Sequence, residues 1–281
     1  MKKIIKIISS IIVLIVVYLC LSISPIFFQD FSSEEDNFLI IAHRGASKFA
    51  PENTLASVNA ALKLNPNRIE IDVQQTKDSV IVLMHDTTLG RTTNGKGLIK
   101  EKTFLELTKL DAGSWFSEEF SKERIPTLEA IIKLIDGKCE LIIEIKKGGD
   151  YYPNIEKNIL NIIKKHKAES WVIIHSFDSE ILERMHQLNP NIALHKLLVG
   201  KLKFVPFIVS NQFESLNIDS QPYIKAYSLN YAFANRDIIK LLKSKGKEIN
   251  VWNVNDAHSA NELISLGVDG IITDNPNLLK D

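Results

Sequence analysis

The feature that most constrains this chain is an alternation, from residue 37 onward, of short β-branched runs with amphipathic helical stretches. Strands that alternate with helices form parallel sheets covered by helices, because each parallel crossover needs a helix-length connection. No Pro/Gly/Ser-rich linker divides this part of the sequence, so we expect one α/β domain. Nine segments are predicted strands: 38–43, 68–75, 80–85, 139–145, 171–175, 191–198, 225–229, 248–253 and 269–273.

Two of these strands, residues 68–75 and 80–85, are separated by only four residues. Parallel neighbours need a crossover of about a dozen residues or more, so this pair is predicted to form an antiparallel hairpin. With 80–85 as an extra strand, eight parallel strands remain, the number in a (β/α)8 TIM barrel. Residues 86–126 then form a long inserted loop. An open doubly wound sheet is the alternative, but it requires a Gly-rich turn where only His43-Arg44-Gly45 stands.

The N-terminal residues carry a membrane signal. Lysines at positions 2, 3 and 6 precede an uncharged run, residues 7–28, that is rich in Ile, Val and Leu. Its length approaches the roughly 20 residues that span a bilayer, whereas the apolar part of a cleaved signal peptide has about 7–15. We therefore expect residues 1–28 to be one transmembrane helix, with a cleaved signal peptide as the alternative. Residues 29–36 form a linker, and residues 37–281 form the globular domain.

The charge pattern bears on location and partners. The flanking lysines favour a cytoplasmic N-terminus, which places the domain on the extracytoplasmic side of the membrane; a cleaved signal would make the protein secreted. The formal net charge of the chain is zero, so no basic field indicates nucleic-acid binding. Cys20 lies in the apolar run and Cys139 beside a predicted buried strand, so we expect neither a disulfide nor a cysteine metal site.

Charged side chains stand at the ends of the predicted strands, where the strand-to-helix loops of a barrel build its active site. His43 and Arg44 follow the first strand. Glu70 and Asp72 are two apart on the second strand and therefore face the same side. Two carboxylates this close raise each other's pKa unless a cation neutralises them, which predicts an oxygen-bound divalent metal ion. A solvated polar face on an edge strand is the alternative.

The hairpin and the next strand add to this cluster. If the hairpin is centred between residues 77 and 78, His85 lies directly opposite Glu70. Glu144 and Lys146 end the strand that follows, two apart and facing together, and they add a third carboxylate and a cation. A surface ion pair is the alternative, but strands covered by helices on both sides are buried and carry charge only at the barrel mouth.

Several short motifs in this order resemble the glycerophosphodiester phosphodiesterase family. The similarity runs from residue 41 to the C-terminus, and the number and order of the motifs argue against chance, although each tripeptide alone is weak. The motifs are His43-Arg44-Gly45, Pro51-Glu52-Asn53-Thr54, Glu70-Ile71-Asp72-Val73, Thr76-Lys77-Asp78, His85-Asp86, Arg91-Thr92-Thr93-Asn94-Gly95, Ile125-Pro126-Thr127-Leu128, Glu144-Ile145-Lys146, Ser176-Phe177 and Gly267-Val268-Asp269-Gly270-Ile271-Ile272-Thr273-Asp274.

The resemblance implies a barrel enzyme that uses one divalent cation, Ca²⁺ or Mg²⁺, to hydrolyse small glycerophosphodiesters to glycerol 3-phosphate and an alcohol. It leaves open which histidine is the acid, and whether water or a substrate hydroxyl attacks; by analogy we favour attack by the hydroxyl through a cyclic phosphate. The implied roles are metal ligand for Glu70, Asp72 and Glu144, acid or base for His43 and His85, and phosphate binding for Arg44 and Lys146.

Further residues are predicted neighbours of the site. Glu52 and Asn53 each either touch the site or cap the first helix, a task that Thr54 could perform instead. Trp252 and Phe177 either line the substrate pocket or pack in the core. The other histidines lack comparable partners and are predicted to lie on helix surfaces or in packing positions: His166, His175, His186, His195 and His258.

Residues 196–224 match the family least. Their apolar stretch, residues 202–207, is helix-poor and predicts a lid or a membrane-contacting loop. This segment and the predicted anchor keep open a phospholipase that acts on lysophospholipid or phosphatidylinositol. A third alternative is a catalytically silent envelope barrel, which loss of the histidines or acids would indicate. The sequence does not determine the oligomeric state or the substrate head group.

Overall fold

The protein was analysed as a computed structural model that describes residues 38–199 and 218–279. The predicted anchor, its linker and the apolar stretch 202–207 all lie outside these residues. Within the described ranges, no helix is both long enough and apolar enough to cross a membrane.

Eight parallel strands close into a barrel, which confirms the predicted (β/α)8 architecture. The first strand pairs with both the second and the last, so Ile41 lies beside Arg68 on one side and Ile272 on the other. The third strand lies outside the closed ring and pairs antiparallel with the second, as predicted. The strands are β1 Leu39–Ala42, β2 Arg68–Gln75, β3 Ile81–Leu83, β4 Glu140–Ile145, β5 Val172–Ser176, β6 Ala193–Leu198, β7 Ile224–Asn230, β8 Glu248–Trp252 and β9 Gly270–Thr273.

In the described ranges, helices connect most consecutive barrel strands and cover their outer faces; the connection from β6 to β7 lies largely outside those ranges. Most begin at a threonine, aspartate or asparagine whose side chain accepts a hydrogen bond from the first turn, as Thr54 and Asp256 do. Thr54 is therefore the residue that caps the first helix. In the described ranges the helices are α1 Leu55–Lys63, α2 Phe104–Leu107, α3 Leu128–Ile135, α4 Ile155–Lys165, α5 Ser179–Leu188, α6 Arg236–Ser244 and α7 Ala257–Ser265.

The predicted register of the β2–β3 hairpin was wrong by one residue. Val73 pairs with Leu83 and Gln75 with Ile81, so continued pairing would place Ile71, not Glu70, opposite His85. The cause is a three-residue loop, residues 77–79, whose last residue, Ser79, has a left-handed φ of 65°. β3 ends at Leu83, so His85 lies beyond the ladder and its direction is not set by strand alternation.

Alternate residues of the barrel strands pack on opposite sides. Ile143 and Ile145 belong to the large core between the strands and the helices. Ile41, Ile142 and Ile272, together with Ile173, form a separate layer that fills the barrel interior. Because side chains alternate along a strand, the next inward-facing position of each strand lies two residues later, at the carboxyl end of the barrel.

The inserted loop, residues 86–126, folds as a small subdomain with its own core. Leu89, Ile99 and Leu107 are almost completely buried there and pack against Val82 of β3. This packing fixes the loop to the outer strand of the hairpin. The loop therefore extends from the barrel beside the position where His85 leaves β3.

Candidate active site

Polar side chains occupy the inward positions directly above the interior isoleucine layer. His43 follows Ile41 by two residues, and Glu144 follows Ile142 in the same way. Glu70 and Asp72 lie on β2, where Asp72 pairs with Glu144 across the parallel ladder. The barrel thus places carboxylates from two neighbouring strands at one level of its carboxyl-terminal mouth.

Glu70, Asp72 and Glu144 form a buried cluster in which one oxygen from each carboxylate lies within 4.8 Å of the others. Glu70 Oε1 and Asp72 Oδ1 are buried and accept no hydrogen bond from any described group; Lys146 Nζ is 3.0 Å from Asp72 Oδ1 but outside hydrogen-bond geometry. Buried oxygens without partners are costly, and a set of carboxylate oxygens is the donor set that Ca²⁺ and Mg²⁺ prefer. The residues therefore fit a divalent cation.

Two cations offset only part of the negative charge of this cluster. Lys146 Nζ is 2.5 Å from Glu144 Oε1, and Arg44 Nε is 3.4 Å from Asp72 Oδ2. Burial and then the repulsion of Asp72 and Glu144 raise the pKa of Glu70 well above its usual range. Burial, as the largest cause, also raises the pKa of Glu144 to about 7. Burial acts the same way on Asp72, but Lys146 and Arg44 outweigh it and lower that pKa.

The His43-Arg44-Gly45 motif forms the tight turn that ends β1. Arg44 and Gly45 both have left-handed φ angles, of 55° and 81°. A Cβ atom on Gly45 would lie 2.5 Å from Ser57 Oγ and 2.7 Å from the Ser57 backbone, so only glycine fits. In this turn the backbone N–H of Arg44 donates to Glu70 Oε2 at 3.0 Å. The motif therefore joins the end of the first strand to the acidic cluster.

Both predicted acid–base histidines are held by an aspartate at the same ring nitrogen. His43 Nδ1 is 2.6 Å from Asp274 Oδ1, and His85 Nδ1 is 2.6 Å from Asp86 Oδ1. Arg44 Nε donates to His43 Nε2 at 3.2 Å, and Asn253 Nδ2 lies 2.7 Å from His43 Nδ1. Each aspartate thus occupies Nδ1 and leaves Nε2 as the other ring nitrogen.

A cavity of about 220 Å³ brings the predicted residues together. All of the predicted catalytic, phosphate-binding and metal-binding residues line it except Asp72, which is completely buried in the acidic cluster. Phe177 and Trp252 form an apolar wall, with ring centroids 5.6 Å apart in an edge-to-face arrangement. The lining residues are His43, Arg44, Glu70, His85, Glu144, Lys146, His175, Phe177, Leu197, Trp252, Asn253 and Ile272.

Three further polar residues contact the site: Asn53, which was predicted either to touch it or to cap the first helix, and Asp86 and Asp274, for which no role was predicted. Asn53 binds Asp72 twice: its Nδ2 donates to Asp72 Oδ2 at 2.8 Å, and its Oδ1 accepts from the Asp72 backbone N–H at 3.0 Å. Asp274 and Asp86 hold the two histidines. All three lie inside motifs that carry the family resemblance, so motif membership was the available signal. The predicted neighbour Glu52 accepts from Arg44 Nη1 at 2.8 Å.

Of the histidines predicted as surface or packing residues, His175 is the one that reaches the cavity. It pairs with Glu144 in the ladder and is 1% exposed, and neither ring nitrogen bonds a described group. Burial lowers its pKa well below the usual value, so the ring is neutral. The others match the prediction, since His195 is packed inside the barrel and His166 bonds Glu129 on a helix surface.

Comparison with known proteins decides the family. A sequence model of the glycerophosphoryl diester phosphodiesterase family matches residues 43–278. The chain belongs to this family. The match covers every strand-end residue described above, so the predicted family and the predicted class of enzyme, a phosphoric diester hydrolase, are confirmed.

Individual family members are similar over nearly their whole length. A glycerophosphodiester phosphodiesterase of Caldanaerobacter subterraneus is 40% identical over 244 residues, which cover 86% of this chain and 96% of the relative. The Bacillus subtilis enzyme of the same name is 34% identical over 261 residues, 86% of this chain and 85% of the relative. A phosphodiesterase of Oleispira antarctica, solved with the product sn-glycerol 3-phosphate, is 30% identical with a TM-score of 0.77 and covers 86% of this chain and 95% of its own.

Proposed function

We propose that the protein hydrolyses glycerophosphodiesters to glycerol 3-phosphate and an alcohol, with a divalent cation bound by Glu70, Asp72 and Glu144. The observation that carries this proposal is the one cavity in which the acidic cluster, with the unpartnered Glu70 Oε1, faces two imidazoles anchored through Nδ1. The relative solved with sn-glycerol 3-phosphate supports the choice of substrate class.

Proton transfer is assigned to His43 and His85. Each ring is held at Nδ1 by a carboxylate, so Nε2 of one accepts the proton of the attacking hydroxyl or water while Nε2 of the other donates to the leaving alcohol. The carboxylates Asp274 and Asp86 also stabilise the ring that becomes positively charged. An imidazole ring can both accept and donate a proton at Nε2, which suits a pair that alternates between acid and base.

Arg44 and Lys146 are proposed to hold the phosphate. Both line the cavity, and in the described structure their cationic groups are balanced by Asp72, Glu144 and Glu52. When bound, a divalent cation at the acidic cluster would supply positive charge that polarises a phosphoryl oxygen. With a cation bound there, the carboxylates would not need the ammonium of Lys146 as their counter-charge, and that ammonium could contact the phosphate.

Residues 1–28 are proposed to anchor the enzyme, with its barrel on the extracytoplasmic side of the membrane. The basis is the uncharged run that follows Lys2, Lys3 and Lys6. With a C-terminal tag, we expect recovery in the membrane fraction and digestion of the barrel by protease added to intact spheroplasts. Recovery in the culture medium would instead identify residues 1–28 as a cleaved signal peptide.

The catalytic proposal is tested by product analysis on glycerophosphocholine. We expect release of glycerol 3-phosphate that a chelator abolishes and that Ca²⁺ or Mg²⁺ restores. Glu70→Gln should lower turnover by about 10³-fold or more, because it removes a charged ligand from the cation. The exposed Glu119→Gln is the matched control and should retain activity. Full activity after chelation, or a preference for lysophosphatidylcholine or phosphatidylinositol, would contradict this assignment.

A further inference from the structure

Arg91, in the inserted loop, lies between the carboxylates of Asp86 and Glu52. Its Nε donates to Asp86 Oδ2 at 2.7 Å. Its Nη1 and Nη2 donate to Glu52 Oε2 and Oε1 at 2.8 and 2.7 Å. One guanidinium thus contacts both carboxylates at once, in the planar forked geometry that arginine provides and lysine cannot.

Each of these carboxylates continues to a residue of the site. Asp86 Oδ1 is 2.6 Å from His85 Nδ1. Glu52 Oε1 accepts from Arg44 Nη1 at 2.8 Å. An unbroken series of charge-assisted contacts therefore runs from an acid–base histidine, through Arg91, to an arginine assigned to the phosphate.

Arg91 itself does not line the cavity, and its side chain is 42% exposed. Glu52 and Asp86 are less exposed, at 12% and 29%. Burial would raise the pKa of Glu52, but the hydrogen bonds from Arg91 and the charges of Arg91 and Arg44 lower it. Both carboxylates thus stay ionised beside a cation that faces solvent, so the role of Arg91 is to orient its neighbours and not to contact substrate.

We propose that Arg91 is a positioning residue that couples the orientation of His85 to that of Arg44. The inference rests on the proposed function, since it gives Arg91 a role in the reaction of the same active site. Without Arg91, Asp86 loses the partner that fixes its second oxygen, and Glu52 keeps only Arg44. His85 and Arg44 then each sample more orientations, although both remain present and correctly charged. Misplacement of a reacting group by about 1 Å can cost a factor of about 100 in rate.

The first test compares Arg91→Met and Arg91→Lys with a matched control in the same loop. Arg124 bonds only backbone carbonyls of residues 121 and 123 in the described ranges, so Arg124→Met tests the loss of an exposed loop arginine. On glycerophosphocholine we expect kcat/KM to fall about 10- to 100-fold for Arg91→Met, about fivefold for Arg91→Lys and less than twofold for Arg124→Met. A loss below twofold for Arg91→Met overturns the proposal.

A double-mutant cycle separates positioning from general structural damage. If Arg91 acts through Asp86 and Glu52, Arg91→Met should cost only about twofold in a background that already carries Asp86→Asn and Glu52→Gln. Equal fold-losses in both backgrounds would show that Arg91 acts by another route. Urea unfolding of each variant controls for the fold, and we expect the Arg91→Met midpoint to stay close to that of Arg124→Met.

A readout that does not depend on turnover keeps this inference separate from the proposed function. In protein labelled with ¹⁵N-histidine, the His85 ring should give the signals of a single tautomer protonated at Nδ1, assigned by comparison with His85→Gln. Arg91→Met should shift these signals toward the average of two tautomers, whereas Arg124→Met should not. If Arg91→Met leaves the His85 signals unchanged, the inference is overturned even when the wild-type enzyme is active. If the wild type is inactive but Arg91→Met still shifts the His85 signals, the inference stands and the proposed function fails.

Discussion

The two histidine–aspartate pairs of the site have equal 2.6 Å contacts but different structural origins. His43 and Asp274 are 231 positions apart and meet only because β1 pairs with β9 when the barrel closes. His85 and Asp86 are adjacent in sequence, and the inserted loop holds them from outside the barrel through Arg91. The His43 side chain is 12% exposed, and that of His85 is 31% exposed.

The surroundings of the aspartates differ in the same way. Asp274 also accepts from Ser47 Oγ at 3.0 Å and from Asn255 Nδ2 at 2.6 Å, and both donors lie in strand-to-helix loops of the barrel. Asp86 is held by one exposed arginine. The two carboxylates are similarly exposed, at 33% and 29%, but Asp86 depends on one exposed ion pair, which is weak and screened by salt, whereas Asp274 is held by several donors of the barrel loops. The site thus combines one histidine fixed by the fold with one fixed by a loop.

The largest expected effect is loss of either imidazole. We expect His43→Ala and His85→Ala each to lower kcat on glycerophosphocholine by about 10³-fold, within the range for general acid–base groups. Added imidazole should restore more activity to His85→Ala than to His43→Ala, because the His85 position is more open to solvent. Greater rescue of His43→Ala than of His85→Ala would contradict the conclusion that the His85 position is the more open to solvent.

A smaller effect should separate the two aspartates. Asp274→Asn places an amide beside His43 Nδ1 in a fixed network, which favours the wrong tautomer, so we expect kcat/KM to fall about 100-fold. Asp86→Asn should cost about tenfold, since water can reach the more exposed ring and replace the carboxylate. Steady-state kinetics measured at low and high salt provide the check. Equal losses, or a larger salt dependence for Asp274→Asn, would contradict the distinction between the pairs.

The smallest expected effect is a pH dependence of stability. Burial would raise the pKa of Asp274, but His43 and the hydrogen bonds to this carboxylate lower it to about 2. A carboxyl group with a lowered folded-state pKa stabilises the fold above its unfolded pKa of about 3.9 and loses that contribution as pH falls. The difference in urea midpoint between wild type and Asp274→Asn should therefore be constant from pH 7 to 5 and narrow between about pH 4 and 2. If the difference in urea midpoint instead widens as the pH falls, the ionised Asp274 carboxylate does not stabilise the fold.

The strand pattern predicted most of the fold because strands that are buried on both faces are continuous apolar runs in the sequence. Residues 68–75 match the predicted strand at both ends, and the four-residue gap after them correctly required an antiparallel partner. The hairpin register was missed because it depends on the left-handed conformation of Ser79, which non-glycine residues adopt only where the surrounding structure requires it. His85 nevertheless reaches the cavity, since it lies past the end of the ladder.

The site was predictable where chemistry and strand period coincide. Glu70, Asp72 and Glu144 were predicted to lie together because carboxylates two apart, or at the end of a buried strand, indicate a shared cation site, and the structure places one oxygen of each within 4.8 Å of the others. Asp86 and Asp274 were not, because aspartates in loops are common at turns and caps, and nothing local shows what they contact. His175 differs from a core histidine only because its ring faces the cavity. Residues of five other strands form that cavity, so the sequence around His175 does not show it.

By itself, the sequence determined the architecture of alternating strands and helices and the identity of the charged residues at the strand ends, because periodicity and charge are local properties of a chain. Only the tertiary structure decided which of those residues share one cavity, which aspartate holds each histidine and how Arg91 joins the loop to the site. Those relations depend on barrel closure, which brings together residues more than 200 positions apart, and on one turn that shifted a strand by a single residue.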